Sequence, residues 1–349
     1  MQMEFSDPSS ISTLVACIAS NDELESAISF AIDFSAKHLI FPKTLFELAL
    51  ICEKEKMYRE KYVFARACAE VSTGKEQEAA YLLAGDTALF LKWQLQALKD
   101  FRKALALNSK NPDTLSKEGL ALTELGKAEK ALAVFNNTLL QYPFHVATLS
   151  NYAYLLHCLG RLKEAEAFFQ KAFSLDSKHL STNCRYATLL FALGRNSEAL
   201  FHYKRALKFN PKHLESNYRY ALFLEKTGNP SKAEPYYLTA LELDPKHLPA
   251  RRCYAKMLSA CGQSEAARKH FKELLKLDPK NVETLTDYAQ LLTNIGFCQV
   301  AETQYKKALS LDPNNPRALR GYAFLLKTRG FKGRAEEMYR QASVLEGDS

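Results

Sequence analysis

From Glu78 to Ser349, small, apolar and polar positions recur with a fixed period of 34 residues, and each period holds two stretches of helical spacing. The eighth position reads Gly85, Gly119, Ala153, Ala187, Ala221, Ala255, Ala289, Ala323; the twentieth reads Ala97, Ala131, Ala165, Ala199, Ala233, Ala267, Ala301, Ala335. The twenty-fourth is always aromatic: Phe101, Phe135, Phe169, Tyr203, Tyr237, Phe271, Tyr305, Tyr339. Between the stretches stands a Gly in seven periods, from Gly126 to Gly330, and Lys92 in the first. A Pro such as Pro211 or Pro245 closes most periods, with Ser109 and Ser177 as exceptions.

These residue types dictate a pair of helices per period. Small side chains such as Ala187 and Ala199 let paired helices approach closely, and Tyr203 fills the space beside them. Gly194 suits the left-handed turn where the first helix stops. Pro211 has no N–H and cannot continue the second helix. One pair cannot bury both of its apolar faces, so the pairs must stack. Eight periods result: 78–111, 112–145, 146–179, 180–213, 214–247, 248–281, 282–315 and 316–349.

Residues 1–77 do not keep this rule. Asp7-Pro8-Ser9 opens a short predicted helix, and Asn21-Asp22 caps another running to about Phe34. A third follows Pro42 through Leu45, Leu48, Ala49 and Cys52, and a fourth runs through Tyr62, Phe64, Ala65, Ala67 and Val71. The last two read as a divergent helical pair, so 1–77 is expected to be an N-terminal helical cap covering the first face of the array. At the other end, the twenty-eighth position is large and apolar in seven copies (Leu105 to Leu309) and becomes Ser343 in the eighth, with Gly347 in place of the closing Pro. A solvated end face is expected there.

A period of 34 with these signature residues resembles the tetratricopeptide-repeat family. The resemblance implies an all-α fold, a right-handed superhelical α-solenoid of helix-turn-helix repeats, and a binding scaffold with no stated ligand. In that family the first helices line a concave groove and expose roughly their second, fifth, sixth, ninth and twelfth positions. Carried over, these include Asn151, Arg185, Tyr218, Arg219 and Arg252, followed by Lys256, Gln290, Arg317, Arg320 and Lys327. Glu215, Glu225, Glu283 and Asp287 are interspersed. Chaperone-binding members grip a terminal carboxylate with five residues on three first helices. Asn151 and Arg185 match two of them, while Ser116, Leu120 and Ser181 do not match. The asparagine ladder of the sugar-transferring member also fails, because the sixth position continues from Asn151 as Arg185, Arg219, Cys253 and Asp287.

Charge sharpens the picture. Residues 1–77 carry 8 Lys plus Arg against 12 Asp plus Glu, leaving 39 and 27 of the chain's 47 and 39 on the repeats, a net of +12 there. A basic surface complements a partner bearing carboxylates. The eight cysteines contain no C-x-x-C and mostly fall in apolar helical runs, which points to a reducing, cytoplasmic location. The longest early apolar run, Ile11 to Ala19, is too short to span a bilayer and follows Glu4 and Asp7, so neither insertion nor secretion is expected.

No catalytic constellation, cofactor motif or phosphate-cradling glycine loop stands out. His157-Cys158 and Cys184 lie in different repeats with no orienting acid. His145, His179, His213 and His247 form a ladder spaced by one repeat. Packed helices lie about 8–10 Å apart, whereas zinc needs ligands at about 2.0–2.1 Å, so the ladder reads as connector residues and no metal site is expected. Tyr152, Tyr186, Tyr220, Tyr254, Tyr288 and Tyr322 form a second ladder, read as core packing in preference to a stacking platform for bases.

The expected function is a non-enzymatic adaptor that holds an extended or helical, acidic segment of a partner protein in the groove. A structural subunit of a larger multiprotein assembly is the alternative. RNA binding is a weaker one, since no basic run is interleaved with aromatics. Self-association stays open.

Overall fold

The computed structural model describes residues 8–347 apart from 22 and 39, and the described residues form helices with no strand. Two compact units divide the chain, the first ending at Ala206 and the second starting at Leu207. In the first, α1 (Pro8–Ser20), α2 (Leu24–Lys37), α3 (Pro42–Lys54) and α4 (Tyr58–Val71) precede α5 (Gly74–Phe90) and α6 (Gln94–Leu107). Then come α7 (Pro112–Glu124), α8 (Ala128–Gln141), α9 (Val146–Cys158), α10 (Leu162–Leu175) and α11 (Leu180–Ala192). The division falls inside α12 (Asn196–Phe209). The second unit holds α13 (Leu214–Lys226), α14 (Pro230–Leu243), α15 (Leu248–Ala260) and α16 (Ser264–Leu277). It closes with α17 (Val282–Asn294), α18 (Cys298–Leu311), α19 (Pro316–Thr328) and α20 (Lys332–Gly347).

Each odd-numbered helix from α7 to α19 has 13 residues, and each even-numbered one from α8 to α18 has 14. A three-residue link folds the two together as an antiparallel pair. Within the first unit α7 also lies against α9 and α9 against α11; within the second, α13, α15, α17 and α19 follow one another in the same way. First helices therefore form one layer in each unit, and second helices such as α8 and α16 pack on the next first helix.

The link is the left-handed cap that the sequence calls for. Gly160 has φ 74°, its N–H donates to the His157 carbonyl at 3.0 Å, and the Arg161 N–H reaches back to the Leu156 carbonyl at 2.9 Å. Lys92, which departs from the glycine pattern, takes the same conformation at φ 62°, with the Trp93 N–H bonded to the Ala88 carbonyl at 2.8 Å. Lys56 does likewise at φ 59° between α3 and α4. The hydrogen bonds of this motif are made by backbone alone, so a lysine can hold the turn at a conformational cost of about 1–3 kcal/mol.

Packing follows the small-residue rule. Ala153, Ala165 and Phe169 are fully buried in one pair, as are Ala221, Ala233 and Tyr237 in another. Gly85 and Gly119 replace the alanine because the ring of the same pair sits closer: a Cβ on Gly119 would lie 2.4 Å from Phe135 Cε1. The tyrosine ladder is buried and joins successive pairs. Ring centroids lie 5.6 Å apart for Phe169 and Tyr186 in the first unit, and 5.8 Å apart for Tyr237 and Tyr254 in the second. Leu309 packs beside the Leu285, Ala308 and Ala318 cluster, whereas Ser343 at the corresponding place in α20 is exposed.

The N-terminal helices keep the helix lengths of the later pairs and differ from the sequence reading at two boundaries. α1 with α2, and α3 with α4, show the same lengths of 13 and 14 as the later pairs. α2 runs to Lys37, past Phe34, and starts behind Glu23, whose side chain makes no capping bond; Asn21 instead donates to Ser26 Oγ at 3.0 Å and accepts from the Glu23 N–H at 3.1 Å. α5 starts at Gly74, ahead of Glu78. Asp7, Asp22, Asp348 and Ser349 lie outside the described residues. Between α4 and α6 a polar cluster is buried: Asp100 accepts from Tyr62 Oη at 2.9 Å and pairs with Arg66 at 3.3 Å. Burial pushes the Asp100 carboxyl up to about 6 despite the neighbouring Arg66 guanidinium.

Candidate functional site: the first-helix faces

Adjacent first helices lie side by side with a small stagger, so that the fifth position of one meets the sixth of the next at Ser116 and Asn151, and at Tyr218 and Cys253. In the first unit Asn151 on α9 donates from Nδ2 to Ser116 Oγ on α7 at 2.9 Å, and its Oδ1 accepts from Arg185 on α11. Arg185 also stacks its guanidinium 4.6 Å from the centre of the Tyr154 ring. Tyr154 in turn donates to Glu124 Oε1 at 3.5 Å, while Lys117 pairs with Asp86 at 2.7 Å on the same face. Asn151 is 8% exposed, so its amide is chiefly a strut that orients Arg185.

In the second unit the same stagger brings Tyr218 Oη 3.9 Å from Cys253 Sγ, with the Tyr218 ring edge-on to His247 at 5.3 Å. Burial holds the Tyr218 phenol and the Cys253 thiol above their ordinary ranges, so both stay protonated at neutral pH. Arg219 pairs with Glu215 on its own helix, Arg252 with Glu283 on the next first helix, and Arg317 with Asp287. Arg320 reaches Glu346 on α20. Gln290 donates to Asn294 Oδ1 at 3.0 Å. Lys256 and Lys327 are exposed and form no ion pair among the described residues.

The ten positions carried over from the repeat pattern thus fall into three kinds. Asn151, Tyr218 and Gln290 are struts within the face. Arg185, Arg219, Arg252, Arg317 and Arg320 are cations held in place by neighbours. Lys256 and Lys327 stand out into solvent. The pattern did not single out Tyr154, nor the hydroxyls at the twenty-fourth position. Tyr203 Oη lies 3.0 Å from Thr188 Oγ1, Tyr237 donates to Glu225 at 2.6 Å, and Tyr305 donates to Gln290 Oε1 at 3.3 Å. The alternation of Phe and Tyr at that position was the available signal: each of these tyrosines has a polar partner at the ninth or twelfth position of its own first helix.

The histidine ladder lies at the helix starts. His179 Nδ1 accepts from the Thr182 N–H at 3.3 Å, His213 Nδ1 from the Ser216 N–H at 3.3 Å and His247 Nδ1 from the Ala250 N–H at 3.2 Å. Asn281 and Asn315 do the same job with Oδ1, accepting from Thr284 and Ala318 at 2.9 and 3.0 Å. These imidazoles are N-caps, a role open to them only when Nδ1 is unprotonated. Burial lowers the pKa of His179 accordingly. No cluster of three or more His, Cys, Asp or Glu side chains able to hold a metal ion occurs among the described residues.

Tetratricopeptide-repeat family models match residues 78–111, 145–212, 190–257 and 248–291. No curated protein sequence matches the chain. Among solved structures, the chain is similar to the APC/C hetero-tetramer Cut9–Hcn1, with TM-score 0.70 and 14% identity over 97% of this chain and 70% of that one. It is also similar to a tetratricopeptide repeat protein from Parabacteroides merdae, with TM-score 0.52 and 21% identity over 67% and 93%. A third likeness is to PilF of Pseudomonas aeruginosa, with TM-score 0.52 and 18% identity over 59% and 94%. At these identities the likeness is one of fold, an α-solenoid of helix-turn-helix repeats.

Proposed function

Because the chain belongs to the tetratricopeptide-repeat family, a family of protein-interaction scaffolds, we propose that its first-helix faces hold a peptide or helical segment of a partner protein and perform no catalysis. The observation that carries this reading is the stagger just described. The polar side chains of these faces are fixed against one another before any partner arrives, as Asn151, Arg185 and Tyr154 are in the first unit. Rotamers already immobilised are not ordered again on binding, which lowers the entropic cost of docking.

The excess of cations over carboxylates in the repeats supports an acidic segment as the ligand. Within the second unit the cations differ in what they can offer. Arg219, Arg252 and Arg320 are engaged by Glu215, Glu283 and Glu346, so reversing their charge would disturb the face itself. Lys256 and Lys327 are the cleaner probes. No helix among the described residues is long and apolar enough to cross a membrane, and a cytoplasmic adaptor is the setting we propose.

Affinity purification of the full chain followed by mass spectrometry, run beside the Lys256→Glu/Lys327→Glu variant, tests the proposal. Loss of a stoichiometric partner, with the thermal unfolding midpoint unchanged, is the expected result. A partner retained in full by the variant would favour the reading of a structural subunit held by other surfaces. Retention of nucleic acid on a low-salt filter assay, falling steeply with added salt, would favour RNA instead.

A further inference from the structure

The repeats supply their own control for what a connector needs, and one connector differs from the rest. The residue two places before each first helix is Lys110, Lys178, Lys212, Lys246, Lys280 and Asn314 in six connectors, but Phe144 in the one between α8 and α9. Four residues earlier, Ala106, Ser174, Lys208, Glu242, Lys276 and Ser310 correspond to Leu140. The Asp or Asn two places before the lysine becomes Tyr142. Nothing in the fold buries these changes: Leu140 is 81% exposed and Phe144 67%. Equivalent helix ends show one large apolar side chain at 41–45% exposure, Leu107, Leu175, Phe209, Leu277 or Leu311, where this one has Gln141; here two apolar side chains stand further out than any of these, an apolar knuckle in solvent that marks a contact surface.

The surroundings state the chemistry of the partner. Tyr142 Oη donates to the Lys110 carbonyl at 2.7 Å, which ties the knuckle to the preceding connector. Lys171 on α10 places its ammonium 5.4 Å from the centre of the Phe144 ring. Lys110, Lys171 and Lys178 are all exposed, on the preceding connector, the adjacent second helix and the following connector. Two carboxylates lie nearby and count against the lysines: Asp113 lies 3.2 Å from His145 Nε2, and Asp176 accepts from the Lys178 N–H at 2.8 Å. An apolar centre flanked by three exposed lysines against two carboxylates fits a segment that carries aliphatic or aromatic residues beside carboxylates.

We propose that the end of α8 and the connector after it, with Leu140 and Phe144 at the centre and Lys171 at the rim, dock an acidic amphipathic segment of a partner protein. This site lies away from the first-helix faces and does not depend on their ligand.

The test selects a displayed library of random short peptides on the full chain, then measures the recovered peptides by fluorescence polarisation. Leu140→Ser/Phe144→Lys gives the knuckle the residues found at Ser174 and Lys178, which the fold already accommodates. Recovered peptides rich in Leu or Phe beside Asp or Glu are expected. They should bind this variant at least about tenfold more weakly, bind Lys171→Glu several-fold more weakly, and bind Asn151→Ala/Arg185→Ala as they bind the original chain. Peptides indifferent to Leu140→Ser/Phe144→Lys, or no acidic-apolar class at all, would overturn the proposal. So would a light-scattering mass that falls from dimer to monomer in the same variant, since the knuckle would then be covered by a second copy.

Discussion

His202 shows how one side chain can report the state of its repeat. Its ring is 6% exposed and lies against Tyr186, with centroids 4.6 Å apart. Asn183 spends both amide hydrogens on the Ser177 and His179 carbonyls, so its Oδ1 accepts from His202 Nδ1–H at 3.0 Å. Burial, assisted by Arg205, lowers the His202 pKa to about 4. The folded state then binds this proton less readily than the unfolded chain, whose histidine titrates near 6.5. Stability contributed by neutral His202 is complete above about pH 6.5 and is lost as pH falls toward 4. Asp100 acts in the opposite sense, since its raised pKa favours the folded state as pH falls below about 6. The comparison with His202→Asn, which keeps the Nδ donor, isolates the histidine: scanning calorimetry across pH 7 to 4 should show the gap between the two midpoints closing as the solution becomes acidic. Gly119 offers a second residue-scale test. In an open helix, alanine would gain up to about 1 kcal/mol over glycine. Here the Cβ meets the fully buried Phe135 ring at 2.4 Å, so Gly119→Ala should instead cost about 1–2 kcal/mol in denaturant unfolding.

At the scale of the element, α14 carries Pro235 inside the helix, on an exposed position. The ring removes one backbone donor and crowds the preceding turn, yet the helix continues to Leu243 because Ala233, Tyr237 and Ala240 are held in the core. Pro235→Ala should therefore raise stability by about 1–3 kcal/mol, visible as a higher urea midpoint with an unchanged slope. How much of an element could be read in advance depended on whether its signal was a side chain. The 34-residue spacing placed α6 to α20 closely, because Ala, Gly and aromatic positions each force one geometry. It put the first turn at Lys92 without the glycine that marks the others and left the turn at Lys56 unmarked, since a left-handed cap made by backbone bonds does not require glycine. It read the histidines as connectors without their capping role, which became visible only beside Asn281 and Asn315. The first-helix positions were legible from the repeat. Their ion pairs were not, because a pair such as Arg252 with Glu283 depends on the stagger between two helices.

For the molecule as a whole, the repeats supply two compact units, each with a layer of first helices whose polar side chains are fixed by neighbours. Nearest-neighbour packing of this kind makes stability nearly additive along the chain. Local changes such as Lys256→Glu and Lys327→Glu should then alter binding by tenfold or more while shifting the unfolding midpoint by no more than a surface substitution does, within about 0.5 kcal/mol. The most direct measurement is hydrogen–deuterium exchange on the full chain with and without its co-purified partner. Slowed exchange concentrated in first helices, among them α9 and α11 or α15, α17 and α19, is the result expected of a segment held on those faces. Protection confined to second helices, with the first helices exchanging as they do alone, would contradict it.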